Sequence, residues 1–97
     1  MTSLLPQGRD CFVLRVTGNS MIEEQIRDGD LIIVEKRGQA RNGELVVALL
    51  DGGEATVKKF FREDGRIRLQ AANPEVSPLY PERVQIQGVV VGVVRKF

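Results

Sequence analysis

The stretch Val16-Thr17-Gly18-Asn19-Ser20-Met21 puts a hydroxyl at the junction between a β-branched run and a short polar turn, a setting that suits a nucleophile. A serine hydroxyl needs a base, and histidine, the usual one, is absent from the 97 residues. The base for Ser20 is then a carboxylate, or a lysine kept neutral by burial, because desolvation penalises a charged amine. Ala55-Thr56-Val57-Lys58-Lys59-Phe60-Phe61 supplies two lysines on a strand-like segment whose valine and aromatics offer apolar surroundings. Neighbouring strand residues point to opposite faces, so only one of Lys58 and Lys59 can reach Ser20, and the alternation does not say which.

Each feature also has a plainer reading. Ser20-Met21-Ile22-Glu23 fits a capping box, in which the serine hydroxyl and the glutamate satisfy backbone N–H groups at a helix start. Lysines on an exposed strand edge discourage edge-to-edge pairing without any chemistry. Asp28-Gly29-Asp30 resembles part of a cation loop but lacks the further oxygen ligands, so it reads as turn chemistry and no metal is assigned.

The elements that must position these groups are strands. Residues 1–10 have no periodicity and read as a lead-in, and 11–97 read as one domain. Cys11 to Val16 alternates, with Phe12, Leu14 and Val16 on one face. Met21 to Ile26 forms at most one short helical turn, ended by Asp28-Gly29, and Leu31 to Val34 follows as a strand. Leu45 to Leu50 is apolar throughout, which predicts burial on both faces. Asp51-Gly52-Gly53 is a hairpin signal, so the lysine strand runs antiparallel beside it, and Glu63-Asp64-Gly65 turns the chain into Arg66 to Gln70. Pro74, Pro78 and Pro81 impose an irregular connection, and Val84 to Val94 closes the chain with bulges or bends expected at Gly88 and Gly92. The fold class is mostly β: strongly curved, mainly antiparallel sheets. The last strand reads equally as an edge or an interior strand.

Composition narrows the chemistry further. A single cysteine, Cys11, permits no internal disulfide and reads as a small buried hydrophobe; with no histidine beside it, Cys-His catalysis and zinc sites are excluded. Fourteen basic against thirteen acidic residues give a formal charge of +1, which provides no electrostatic drive toward nucleic acid. Apolar runs fall far short of the roughly 20 residues that cross a bilayer, and the start lacks a signal-peptide core, so no membrane partner and a cytoplasmic location are expected.

Several motifs occur together in order: Val16-Thr17-Gly18-Asn19-Ser20-Met21, Asp28-Gly29-Asp30, Asn42-Gly43-Glu44, Thr56-Val57-Lys58, Asn73-Pro74, and Gly88 to Val94. Taken together they resemble the catalytic domain of the LexA-type repressors, Ser-Lys self-cleaving peptidases, over nearly the whole chain. That resemblance implies Ser20 as nucleophile, Lys58 rather than Lys59 as general base, and the backbone N–H groups of Asn19 and Ser20 as oxyanion donors, with no cofactor. It also implies a homodimer through residues Gly88 to Lys96, a RecA filament as trigger, and DNA contact only through an N-terminal domain absent from these residues. The family cuts itself between Ala and Gly or Cys and Gly. No glycine here follows either residue, so the chain is expected to begin after its cleavage site. An alternative implied role is a processed UmuD-like accessory subunit of a lesion-bypass polymerase, acting as an interaction module.

Overall fold

A computed structural model describes residues 10–18, 21, 26–51, 53 and 55–95. Its strands are β1 (Cys11–Arg15), β2 (Leu31–Lys36), β3 (Leu45–Leu50), β4 (Ala55–Glu63), β5 (Arg66–Gln70) and β6 (Val84–Val94). They form one six-stranded sheet in the order β1-β2-β6-β3-β4-β5. Every pairing is antiparallel. The mostly-β expectation therefore holds, with a single sheet and no helix among the described residues.

Alternation along β3 explains its unbroken apolar run. Val46 and Ala48 enter one core with Phe60, Leu69 and Val89, while Val47 enters the other with Met21, Ile26, Ile32 and Val34. A strand with a core on each side has no wet face to make polar. Phe12 and Leu14 on β1 and Val16 just past it lean, as expected, on the second of these cores, and Val13 faces out. Cys11, expected to be buried, is only partly so.

The last strand lies between β2 and β3 in the strand order, so each of the two readings holds for part of it: interior at Gly88 and Val89, open on one side beyond them. β6 pairs with β3 through Val84 to Val89 and with β2 through Gly88 to Val94, so the two ladders overlap only at Gly88 and Val89. Each ladder carries a one-residue bulge on β6: Gln87 is skipped opposite β3 and Val91 opposite β2, one residue before each glycine. Gly88 is fixed by space, since a Cβ there would run into the Glu35 carbonyl oxygen and stand 2.5 Å from Val34 Cγ1. Gly88 and Val89 are thus enclosed and cannot pair with a second copy. Past Val89, among the described residues, β6 has a neighbour on one side only, and Val91 and Val93 are 40% and 43% exposed.

Candidate active site

Lys58 stands opposite Val46 on β3, and its side chain is almost wholly withdrawn from water, with a residue exposure of 6%. Lys59, on the opposite face, keeps partial exposure. The predicted difference between the two lysines is therefore present in their burial. The Lys58 amine donates to Thr56 Oγ1 at 2.7 Å and to the Val57 carbonyl at 3.3 Å. A hydroxyl suits an amine that must change charge: it accepts from an ammonium and can donate to a neutral nitrogen.

Asn19 and Ser20 lie outside the described residues, as do the capping-box positions Ile22 and Glu23. The nearest described residues before and after Ser20, Gly18 and Met21, are both anchored. Upstream, Gly18 adopts φ 86°, a backbone state that few side chains tolerate, and its N–H donates to Asp28 Oδ1 at 2.8 Å. Downstream, Met21 is buried to 1% exposure in the core beneath β1 and β2, and Ile26 joins it there, its N–H donating to the Met21 carbonyl at 3.3 Å. Burying a methionine side chain is worth roughly 1.5–3 kcal/mol, so Met21 is a stronger anchor than the weak bond its sulfur accepts from the Ala72 N–H.

The base of this loop is closed by backbone bonds. Val16 N–H donates to the Asp30 carbonyl at 2.8 Å, Gly29 N–H to the Val16 carbonyl at 2.8 Å, and Asp30 N–H to the Arg27 carbonyl at 3.0 Å. The Asp28-Gly29 turn is present as predicted, and both of its flanking carboxylates have protein partners: Asp28 holds Gly18, and Asp30 holds Arg27 and Arg95. Asp30 is 4% exposed. Its carboxyl is held below the ordinary aspartate value, chiefly by the Arg95 guanidinium and next by the Arg27 N–H, against a smaller opposing effect of burial.

A cavity of about 400 Å3 opens between β1 and β4. Val16, Thr17, Met21, Thr56, Val57 and Lys58 are among the residues that line it. Residues flanking position 20 and the buried lysine thus share one hollow, floored by apolar side chains such as Leu14, Ile32 and Val47.

The family model described as Peptidase S24-like matches residues 1–91. The chain belongs to that family. It is 47% identical to a LexA repressor of Thermotoga neapolitana across 98% of its own length and 46% of the relative's. With a LexA repressor of Clostridium botulinum it shares 49% identity over 92% of the chain and 44% of the relative, and with one of Clostridium perfringens 50% over 91% and 43%. The chain thus spans somewhat under half the length of these curated relatives.

Two contacts near the candidate site escaped the sequence reading, that of Thr56 with Lys58 and that of Asp30 with Arg95. Thr56 had a signal, because a hydroxyl two residues before a strand lysine lies on the same face. The Asp30–Arg95 pair had none, since nothing local in either segment names the other. No described helix is long and apolar enough to cross a membrane.

Proposed function

We propose that this chain is the self-cleaving and dimerising part of a cytoplasmic LexA-type repressor of the SOS response to DNA damage. Lys58, in its neutral form, takes the proton of Ser20 as the hydroxyl attacks a peptide carbonyl, and returns it to the leaving amine. The N–H groups of Asn19 and Ser20 stabilise the oxyanion. The observation that carries this reading is the shared cavity, whose lining includes Val16, Thr17 and Met21, flanking Ser20, together with a lysine that is 6% exposed. The peptide bond cut lies N-terminal to the domain, and cleavage separates a DNA-binding part from this one. The repressor name of the matched relatives favours this role over a polymerase accessory subunit.

Assembly in this proposal uses the second half of β6. Its open side and the exposed Val91 and Val93 support pairing of Val90 to Val94 with a second copy, with the Gly88 end excluded. A RecA filament remains the proposed trigger.

The test is cleavage of a longer protein carrying this chain, with Ser20→Ala and Lys58→Ala. Each should lower the rate by about 10²–10⁴-fold or more, the usual worth of a positioned base or nucleophile, with the unfolding midpoint nearly unchanged. The wild-type rate should climb as pH rises from neutral, because only the neutral amine accepts a proton. Cleavage persisting in either folded variant would refute the dyad.

A further inference from the structure

The loop that carries Ser20 is tied to the far end of β6 by one ion pair. Arg95 Nε donates to Asp30 Oδ1 at 3.1 Å, and its second guanidinium nitrogen donates to Oδ2 at 3.0 Å, a two-point grip that fixes the carboxylate in orientation as well as position. The sheet register sets up this meeting: Leu31 faces Val94, so the next antiparallel pair outward is Asp30 with Arg95. The gripped carboxylate then holds the Arg27 N–H at 2.8 Å, while the Asp30 carbonyl takes the Val16 N–H. Val16 and Arg27 are the two ends of the segment that contains Ser20. The arginine just past the last strand therefore grips the one residue, Asp30, whose carboxylate and backbone carbonyl meet the two ends of this loop.

We infer that Arg95 is a positioning residue for Ser20, holding the loop's base through Asp30 so that the hydroxyl meets Lys58. The inference rests on the proposed role of Ser20 as nucleophile. The role assigned to Arg95 is one of placement through Asp30, and a displacement of about 1 Å at a reacting group can cost on the order of 10²-fold in rate.

The chain itself, treated with a serine-reactive fluorophosphonate, provides the test, with Ser20→Ala, Arg95→Ala and Arg95→Lys compared by mass spectrometry and amide hydrogen exchange. Arg95→Ala should slow labelling of Ser20 by about tenfold to a hundredfold. It should also speed exchange at the Arg27 and Gly29 N–H groups while β3 and β4 keep their protection. Arg95→Lys, which retains the charge but loses the fork, should recover part of the rate. If Arg95→Ala fails to fold, Arg95→Lys decides: slowed labelling in a protected sheet supports the role, and a rate equal to wild type overturns it. Folded Arg95→Ala labelled within twofold of wild type overturns the positioning role alone. Label persisting in Ser20→Ala, or an unlabelled wild-type chain, instead strikes the nucleophile assignment, and the positioning role falls with it.

Discussion

The two halves of the sheet on either side of β6 are held together differently. On one side, β3, β4 and β5 form a meander whose strands pair with their neighbours in sequence across short turns. On the other, β1 and β2 are separated by the nucleophile loop, and that loop is closed by contacts between residues far apart in the chain: Asp30 with Arg95, Met21 with Ala72. Lys58, the proposed base, comes from the local half, and Ser20, the proposed nucleophile, belongs to the distant one. A site built this way has one partner on a scaffold that local turns specify and another whose place depends on the whole sheet.

Gly88 is where the comparison can be broken outright, since it pairs with Lys36 on the β2 side and Val47 on the β3 side. Gly88→Val forces a side chain against the Glu35 backbone, at a cost of about 3 kcal/mol or more, the upper range of overpacking. Urea unfolding should show the lower stability, and hydrogen exchange should show both halves losing protection together. Retention of full protection in β3 to β5 would mean that the meander stands alone and the halves are less coupled than the ladders imply.

Thr56→Val sharpens the comparison within the local half. Removing the hydroxyl that receives the Lys58 amine at 2.7 Å should slow cleavage about tenfold, the kinetic equivalent of one hydrogen bond of roughly 1.4 kcal/mol. Thr56→Ser should restore most of the rate. Because Thr56 makes none of the bonds that close the base of the Ser20 loop, exchange at Arg27 should be that of wild type.

The smallest effect lies in the distant half and depends on pH. The Asp30 carboxyl is held below its ordinary value, so its ionised form contributes stability that is complete above the unfolded-state pKa and lost as pH falls through the folded one. Asp30→Asn should therefore be less stable than wild type at neutral pH, with the gap closing in the acid region below about pH 4. Thermal melts across that range provide the measurement. A constant gap down to strong acid would show that the ion pair is not what Asp30 contributes.

Legibility in the sequence follows the same division. The hairpins at Asp51-Gly52-Gly53 and Glu63-Asp64-Gly65 were readable because turn chemistry is local, and the second has Asp64 and Gly65 both at positive φ as such a turn requires. The burial of β3 on both faces and the opposite faces of Lys58 and Lys59 followed from alternation alone. The position of β6 between β2 and β3 was not readable, because a valine-rich strand has the same pattern wherever it is inserted. Asp28-Gly29-Asp30 reads as a turn whether or not its second aspartate has an arginine waiting 65 residues later. The bulges were marked by Gly88 and Gly92, but the skipped residues, Gln87 and Val91, carry no signal of their own.

The offset ladders of β6 also set an order of events during synthesis. β3, β4 and β5 can pair as soon as they emerge, since hairpin contacts close short loops. β1 and β2 precede them but can join the sheet only through β6, which is made afterwards. The serine segment must then wait on the ribosome with its apolar residues Met21 and Ile26 unsheltered until the final strand arrives. The segment of Ser20 and the strand of Lys58 are thereby kept apart through translation, because the two halves of the sheet meet only when β6 is in place.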